Sequence, residues 1–256
     1  MPLQPLPDET LDCILGGNVQ LLQAQRGYRT AIDAPLLAWF AAQQAPEEQH
    51  ALDIGAGSGL VAIVLALARR HIHLHLLEKQ PQMAARARRN AALNGVADRL
   101  TVVLGDVAAP PPLPAPFDLV LCNPPYQARA QGQPPANPER QIAHQESTAN
   151  LRQFCQFAAA QLAPTACSCW VFPYHDAARL LASLAAAGLG DCALSHVRHR
   201  PADATPNRVL VCARPGPERL RTLPDRAIHL QDQPDRVFQP DLAAFFASLA
   251  TPPSAA

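Results

Sequence analysis

Residues 51–70 constrain local structure more tightly than any other stretch of the chain. The apolar run Ala51-Leu52-Asp53-Ile54 passes into Gly55-Ala56-Gly57-Ser58-Gly59 and then into residues 60–68, nine apolar residues closed by Arg69-Arg70. A short apolar run reads as a buried strand, and a longer one as a largely buried helix whose terminal positive charges suit its dipole. Three glycines in five positions are what a strand-to-helix turn needs when its backbone lies against a bound cofactor, because glycine has no Cβ and tolerates positive φ. A second apolar strand, residues 117–122, ends on Asn123-Pro124-Pro125-Tyr126. That tetrapeptide offers an amide oxygen, carbonyls that proline cannot complement with N–H groups, and an aromatic face, a set suited to a flat nitrogen-bearing group.

Strand and helix signals alternate around the two motifs. A strand over 73–78 ends at Glu78; Pro81 opens a helix over 82–93, which Asn94-Gly95 stops. A strand over 100–104 ends at Gly105-Asp106, and the proline-rich stretch 110–116 is a connector. Residues 127–146 read as a loop over the site, followed by a helix over 151–162, a strand over 169–172 and a helix over 177–187 closed by Gly188. The strand-like stretches 193–197 and 208–212 suggest an antiparallel pair at the sheet edge. The expected fold is α/β: a mostly parallel, seven-stranded, doubly wound sheet with an antiparallel edge strand. Ahead of it, residues 16–22 and 26–30 look like a small hairpin able to cap a cofactor, and 34–42 like a helix; behind it, 226–230 look like a strand and 240–249 like a helix. A single domain over 1–256 is expected, with a hairpin and helix cap at 1–45, an α/β core at 46–216 and a strand and helix extension at 217–256.

At 256 residues and 48% hydrophobic content the chain can bury one full core. No apolar run reaches the roughly 18 to 20 residues a membrane span needs, and the N-terminus lacks a signal-peptide pattern, so a soluble, cytoplasmic protein is expected. Net charge is zero, so any nucleic-acid site has to be a local patch, and Lys79 is the single lysine. The seven cysteines read as reduced core thiols. Cys167-Ser168-Cys169 does not have C-x-x-C spacing, it has no matching second pair, and alternation in a strand would point both sulfurs to one face; no metal is expected.

Glu78 lies 25 residues after Asp53 at the end of the second strand, where a carboxylate can accept both hydroxyls of a ribose. Asp106 ends the third strand, placed to accept from an adenine amine. Acidic residues at three successive strand ends point to an adenosine-containing cofactor. The glycines run G-x-G-x-G and follow an acid that would repel a pyrophosphate, which argues against a dinucleotide. Over residues 45–215 the pattern resembles the Rossmann-like class I S-adenosylmethionine-dependent methyltransferases. The resemblance implies S-adenosyl-L-methionine as cofactor, with Asp53, Gly55, Ala56, Gly57 and Gly59 at its methionyl part, Glu78 at the ribose and Asp106 at the adenine; Lys79, Val107 and Asn123 complete the implied set.

Asn123-Pro124-Pro125-Tyr126 resembles the fourth motif of amino-methyltransferases, at the spacing from the first motif found in that group. Its implied role is catalytic, with Pro125 counted in the set: the Asn123 side-chain oxygen and the Pro124 carbonyl accept the two amine hydrogens, and Tyr126 stacks on the ring. Three outer segments, Gly27-Tyr28-Arg29-Thr30-Ala31-Ile32-Asp33-Ala34-Pro35-Leu36-Leu37-Ala38, residues 140–146 and Asn207-Arg208-Val209-Leu210-Val211, resemble the bacterial tRNA1(Val) adenine-37 N6-methyltransferase family. The likeness spans residues 11–249 and departs from the family at Pro35 and in lacking a lysine-rich N-terminal stretch. It implies a tRNA, or another RNA, as partner, with Arg129, Arg140, Arg198 and Arg200 as candidate phosphate contacts and Arg86, Arg88 and Arg89 as a solvated helix face. N5-glutamine methylation of a release factor or ribosomal protein is the alternative, though such enzymes usually carry a helical domain ahead of the core. A noncatalytic cofactor- or RNA-binding module is a second, which the intact tetrapeptide argues against. The oligomeric state is open, and a monomer is compatible with the sequence.

Overall fold

The computed structural model describes residues 3–26, 29, 32–45, 49–124, 151–230 and 237–249. A hairpin of β1 (Glu9–Ile14) and β2 (Val19–Ala24) precedes α1 (Asp33–Gln44). Then come β3 (His50–Ile54), α2 (Leu60–Ala68), β4 (His73–Glu78), α3 (Pro81–Leu93), β5 (Leu100–Leu104) and β6 (Phe117–Cys122). After the tetrapeptide, α4 (Leu151–Gln161), β7 (Leu162–Pro173), α5 (Ala177–Ala186), β8 (Leu189–Arg198), β9 (Arg208–Arg214), β10 (Gly216–Thr222), β11 (Arg226–Ala227) and α6 (Pro240–Ala247) complete the order.

The central sheet runs β10-β8-β9-β7-β6-β3-β4-β5, with β11 also paired to β8. Every pairing in it is parallel except those of β9 with β7 and with β8. Two expectations are corrected here. Among the described residues the sheet has nine strands, not seven, and its antiparallel strand lies between β7 and β8 instead of at the edge. Val209 to Ala213 are fully buried, which is what a strand flanked on both edges and covered on both faces requires. The chain then passes beneath the start of β8 to lay β10 along its other side. Gly190 permits that passage, because a Cβ there would stand 2.8 Å from both the Glu218 nitrogen and the Gly216 oxygen.

Helices cover both faces. One apolar layer gathers α1, α2, α3 and α6 around Leu74, Leu76, Leu119, Leu121 and Leu210; the other gathers α4 and α5 around Leu52, Ile54, Val120, Trp170 and Phe172. Helix α2 is apolar all round because it is buried all round, with residues 60–66 inaccessible. The proline-rich connector between β5 and β6 takes the place of a covering helix, and its Leu113 packs on the α4 and α5 layer. Helix α3 begins at Pro81 and ends in a left-handed Gly95 at φ 65°. There the Val96 amide returns to the Ala91 carbonyl at 3.0 Å and the Gly95 amide to the Ala92 carbonyl at 3.1 Å, so the last carbonyls are satisfied.

The N-terminal hairpin forms earlier in the chain than expected, with Gly16-Gly17 in its turn and not in a strand. It docks on α3. Asn90 accepts from the Leu22 amide at 2.7 Å and donates to the Leu22 carbonyl at 3.3 Å. Asn94 does the same one turn on, with the Gln20 amide at 3.0 Å and the Gln20 carbonyl at 2.7 Å. Two side-chain amides four residues apart on a helix thus substitute for a missing neighbour strand. Arg86 and Arg89 are not a solvated face: they are 4% and 5% exposed and meet the buried Glu9 at 2.9 and 2.7 Å. Arg88 alone of the three is exposed.

Although burial pushes the Glu9 carboxyl upward, hydrogen bonds from the Leu6 amide and both guanidinium groups hold it below the usual carboxylate range. Glu9→Ala strands two buried cations, so urea unfolding is expected to show a loss of about 3 to 5 kcal/mol. A loss under ~1 kcal/mol would mean that the hairpin is dispensable to the core.

Candidate active site

Parallel pairing sets the ends of four strands side by side. Ile54 lies opposite Leu77 on β4 and Cys122 on β6, and Glu78 lies opposite Leu104 on β5. The residues that leave the sheet there are therefore neighbours: Gly55 after β3, Lys79 after β4, Gly105-Asp106 after β5 and Asn123-Pro124 after β6. The boundary between β3 and β6 is also where strand order reverses, the crevice in which open α/β sheets bind ligands.

The glycine turn is built for close approach. Gly55, Gly57 and Gly59 have φ of 69°, 56° and 83°, values that a side chain resists. Gly59 is further confined, since a Cβ would lie 3.2 Å from the Ala87 Cβ of α3. The Gly55 and Ala56 amides bond the Leu77 carbonyl at 2.9 and 3.2 Å, which fixes the turn to β4. The buried Ser58 carbonyl accepts from Asn90 at 3.0 Å, so the amide that holds the hairpin also holds this turn.

Three carboxylates stand at the strand ends in different states. Asp53 is 1% exposed, and its Oδ2 has no hydrogen-bond partner. Burial drives its carboxyl up to about 7, the Glu78 charge adds to the shift, and the Ala62 amide at the start of α2 opposes it. Glu78 is raised by burial and steadied by amides, with Oε2 accepting from Gly57 and Oε1 from Gln80, each at 2.8 Å. Asp106 is held low by the Ala108 amide at 3.0 Å and then by Lys79, whose Nζ is 3.0 Å from Oδ2. Val107 is half-buried beside it.

The structure thus gathers Asp53, Gly55, Ala56, Gly57, Gly59, Glu78, Lys79, Asp106, Val107, Asn123 and Pro124 along one edge. Pro125, Tyr126, Arg129, Arg140 and the 127–146 loop lie outside the described residues. Arg198 binds Asp225 at 2.5 Å and the Asp203 carbonyl at 3.0 Å. Arg200 is exposed. Sequence reasoning missed the bond of Arg208 Nε to the buried Asp33 at 3.0 Å, which joins the start of α1 to the start of β9. Both residues sit in segments singled out for their resemblance, but a separation of 175 residues hides the pairing from any local pattern.

Residues 33–147 match the Methyltransferase small domain family. Two relatives, from two strains of Porphyromonas gingivalis and each named tRNA1(Val) (adenine(37)-N6)-methyltransferase, are each 30% identical to this chain. The match covers 53% of this chain and 55% of the first relative, and 73% of this chain and 74% of the second. The chain belongs to their family. A solved Agrobacterium tumefaciens structure, titled a predicted O-methyltransferase, superposes with a TM-score of 0.67 at 22% identity, over 86% of this chain and 98% of that one. At that identity the likeness speaks for the fold, which is that of the class I methyltransferases.

The cofactor of this methyltransferase family is S-adenosyl-L-methionine. The edge suits it: the glycine turn has no Cβ to keep a ligand off its backbone, and the Glu78 carboxylate, bonded to the Gly57 amide, stands beside that turn.

The raised carboxyl has a measurable consequence. Unfolded Asp53 releases its proton near 3.8 and the folded residue near 7. The cofactor-free protein therefore loses stability as pH rises from about 4 to about 7 and retains that loss above 7. Asp53→Asn, neutral throughout, is expected to melt above wild type by a margin that widens over this range and then levels. Thermal melts followed by circular dichroism read the margin, and one independent of pH would contradict the raised carboxyl.

Proposed function

We propose that this methyltransferase transfers the methyl group of S-adenosyl-L-methionine to the N6 amine of an adenine in RNA, with adenosine 37 of a tRNA as the favoured acceptor, in the cytoplasm. One juxtaposition carries the reading: Asn123-Pro124 leave β6 level with the glycine turn of β3, across the reversal of strand order. The names of the two relatives support the choice of acceptor. No helix among the described residues is long and apolar enough to cross a membrane.

On this reading Asp53, Gly55, Ala56, Gly57 and Gly59 hold the methionyl part, Glu78 and Lys79 the ribose side, and Asp106 and Val107 the adenine. The bound cofactor supplies an electrophilic methyl on a sulfonium. The lone pair of an aromatic amine is delocalised into its ring and attacks poorly. Accepting the two amine hydrogens at the Asn123 side-chain oxygen and the Pro124 carbonyl localises that pair on nitrogen. Pro125 places no N–H beside the Pro124 carbonyl, and Tyr126 stacks on the base. No general base is needed in the first step, because the amine becomes acidic once methylated, so positioning does most of the catalysis. A base in an anticodon loop is splayed out at lower cost than one in a duplex. Arg129, Arg140 and Arg200 supply phosphate contacts.

Incubation with labelled cofactor and, separately, total tRNA, rRNA and protein from a strain lacking the gene is expected to label the tRNA fraction. Label in protein alone would instead favour glutamine methylation. Asn123→Ala is expected to take transfer below detection while the cofactor Kd changes by a few-fold at most; an active variant would refute the catalytic assignment. Tyr126→Ala is expected to weaken substrate use by about 1 to 3 kcal/mol in kcat/KM. Unchanged kinetics there would place the ring outside the site.

A further inference from the structure

Three cysteines that methyl transfer does not use converge on one face of the sheet. Cys167 and Cys169 are two residues apart on β7 and so share a face, and Cys212 of β9 lies directly opposite Cys169. Their three sulfurs lie within 4.8 Å of one another, and none of the residues is more than 2% exposed. Arg214, two residues along β9, donates from Nη1 to the Cys212 sulfur at 3.2 Å and from Nη2 to the Gln44 carbonyl at the end of α1 at 3.3 Å. Buried cysteines often serve as small apolar side chains. That role does not call for a guanidinium turned onto a sulfur, nor for three thiols facing one point.

We propose that Cys167, Cys169 and Cys212 form a binding site for a thiophilic closed-shell cation, Zn2+ or Cu+. Thiolates select these soft ions over hard ones such as Mg2+ or Ca2+. Sulfurs about 2.3 Å from a zinc ion stand roughly 3.8 Å apart in tetrahedral geometry, so the three need close in by at most about 1 Å. Each ligating thiol gives its proton to solvent, and no sulfur is oxidised. One Zn2+ with three thiolates carries a single negative charge, which the Arg214 guanidinium balances, and an electrically neutral cluster is one the interior tolerates. Ser168 is no ligand, since it faces the opposite layer, where its Oγ accepts from Trp170 Nε1 at 2.8 Å. Among the described residues no fourth His, Cys, Asp or Glu joins the group. That leaves Zn2+ with three thiolates and one water, or Cu+ with two thiolates and a third thiol that keeps its proton, each neutral once Arg214 is counted. Either ion would tie the antiparallel strand β9 to β7 under α1, a structural role separate from the edge that holds the cofactor.

The test uses the full chain, purified reduced without metal-affinity resin and stripped by chelation. It is titrated separately with Cd2+, a reporter for Zn2+, and Ag+, a reporter for Cu+, while thiolate-to-metal charge-transfer absorption is recorded. One of the two is expected to saturate at one equivalent and to raise the melting temperature, an increase that a chelator reverses; which one saturates identifies the native ion. Cys169→Ser and Cys212→Ser are each expected to weaken binding at least tenfold, whereas Cys192→Ala, a buried cysteine on the opposite face of the sheet, leaves it unchanged. The wild-type titration decides even if a serine variant fails to fold. Absence of a saturable band with both ions, or a band that persists unchanged in folded Cys169→Ser and Cys212→Ser, overturns the proposal.

Discussion

Parallel hydrogen bonding of β3 to β4 on one side and to β6 on the other is the constraint from which the active edge follows. In a parallel sheet all the carboxyl ends emerge together, so residues tens of positions apart become neighbours without a dedicated contact between them. The registers leave little freedom: with Ile54 level with Leu77 and Cys122, the glycine turn, the acidic ends of β4 and β5, and Asn123 meet at one height. A one-residue slip of β6 would turn Val120 and Cys122 out of their apolar layer. Core packing and site geometry are therefore held by the same register.

The edge carries its charge at a cost. A carboxylate as deeply buried as Asp53, with one oxygen unsatisfied and Glu78 nearby, lowers the stability of the free protein. The surroundings contain the cost. The Gly57 and Gln80 amides hold Glu78, the Lys79 ammonium holds Asp106, and the Ala62 amide at the N-terminus of α2 partly offsets the burial of Asp53.

The alternation of strands and helices, the glycine turn and the stop at Asn94-Gly95 were legible because each is a local pattern with a local cause. Periodicity reports burial, and glycine reports a backbone turn that other residues resist. The arginines of α3 were not. Arg86 and Arg89 read as solvated because nothing within their own helix shows that Glu9, nearly eighty residues earlier, folds back to neutralise them. Asn90 and Asn94 likewise looked unremarkable for a helix end, yet they replace a strand along β2. The position of β9 was half legible: its antiparallel pairing with β8 follows from two neighbouring strand-like runs, but that β7 flanks its other side depends on pairings such as Pro173 with Arg208 and Ser168 with Ala213, far apart in sequence.

By itself the sequence determined the α/β class, the two motifs, and the order of the strand ends that carry Asp53, Glu78, Asp106 and Asn123, since those depend on short-range periodicity, glycine conformation and chain order. Only the tertiary structure decided which charges are buried, how the hairpin is held, that Asp33 meets Arg208, and that Cys212 joins Cys167 and Cys169. These are contacts between distant segments. Their energies come from exclusion of water and from strand register, neither of which exists until the chain has closed on itself.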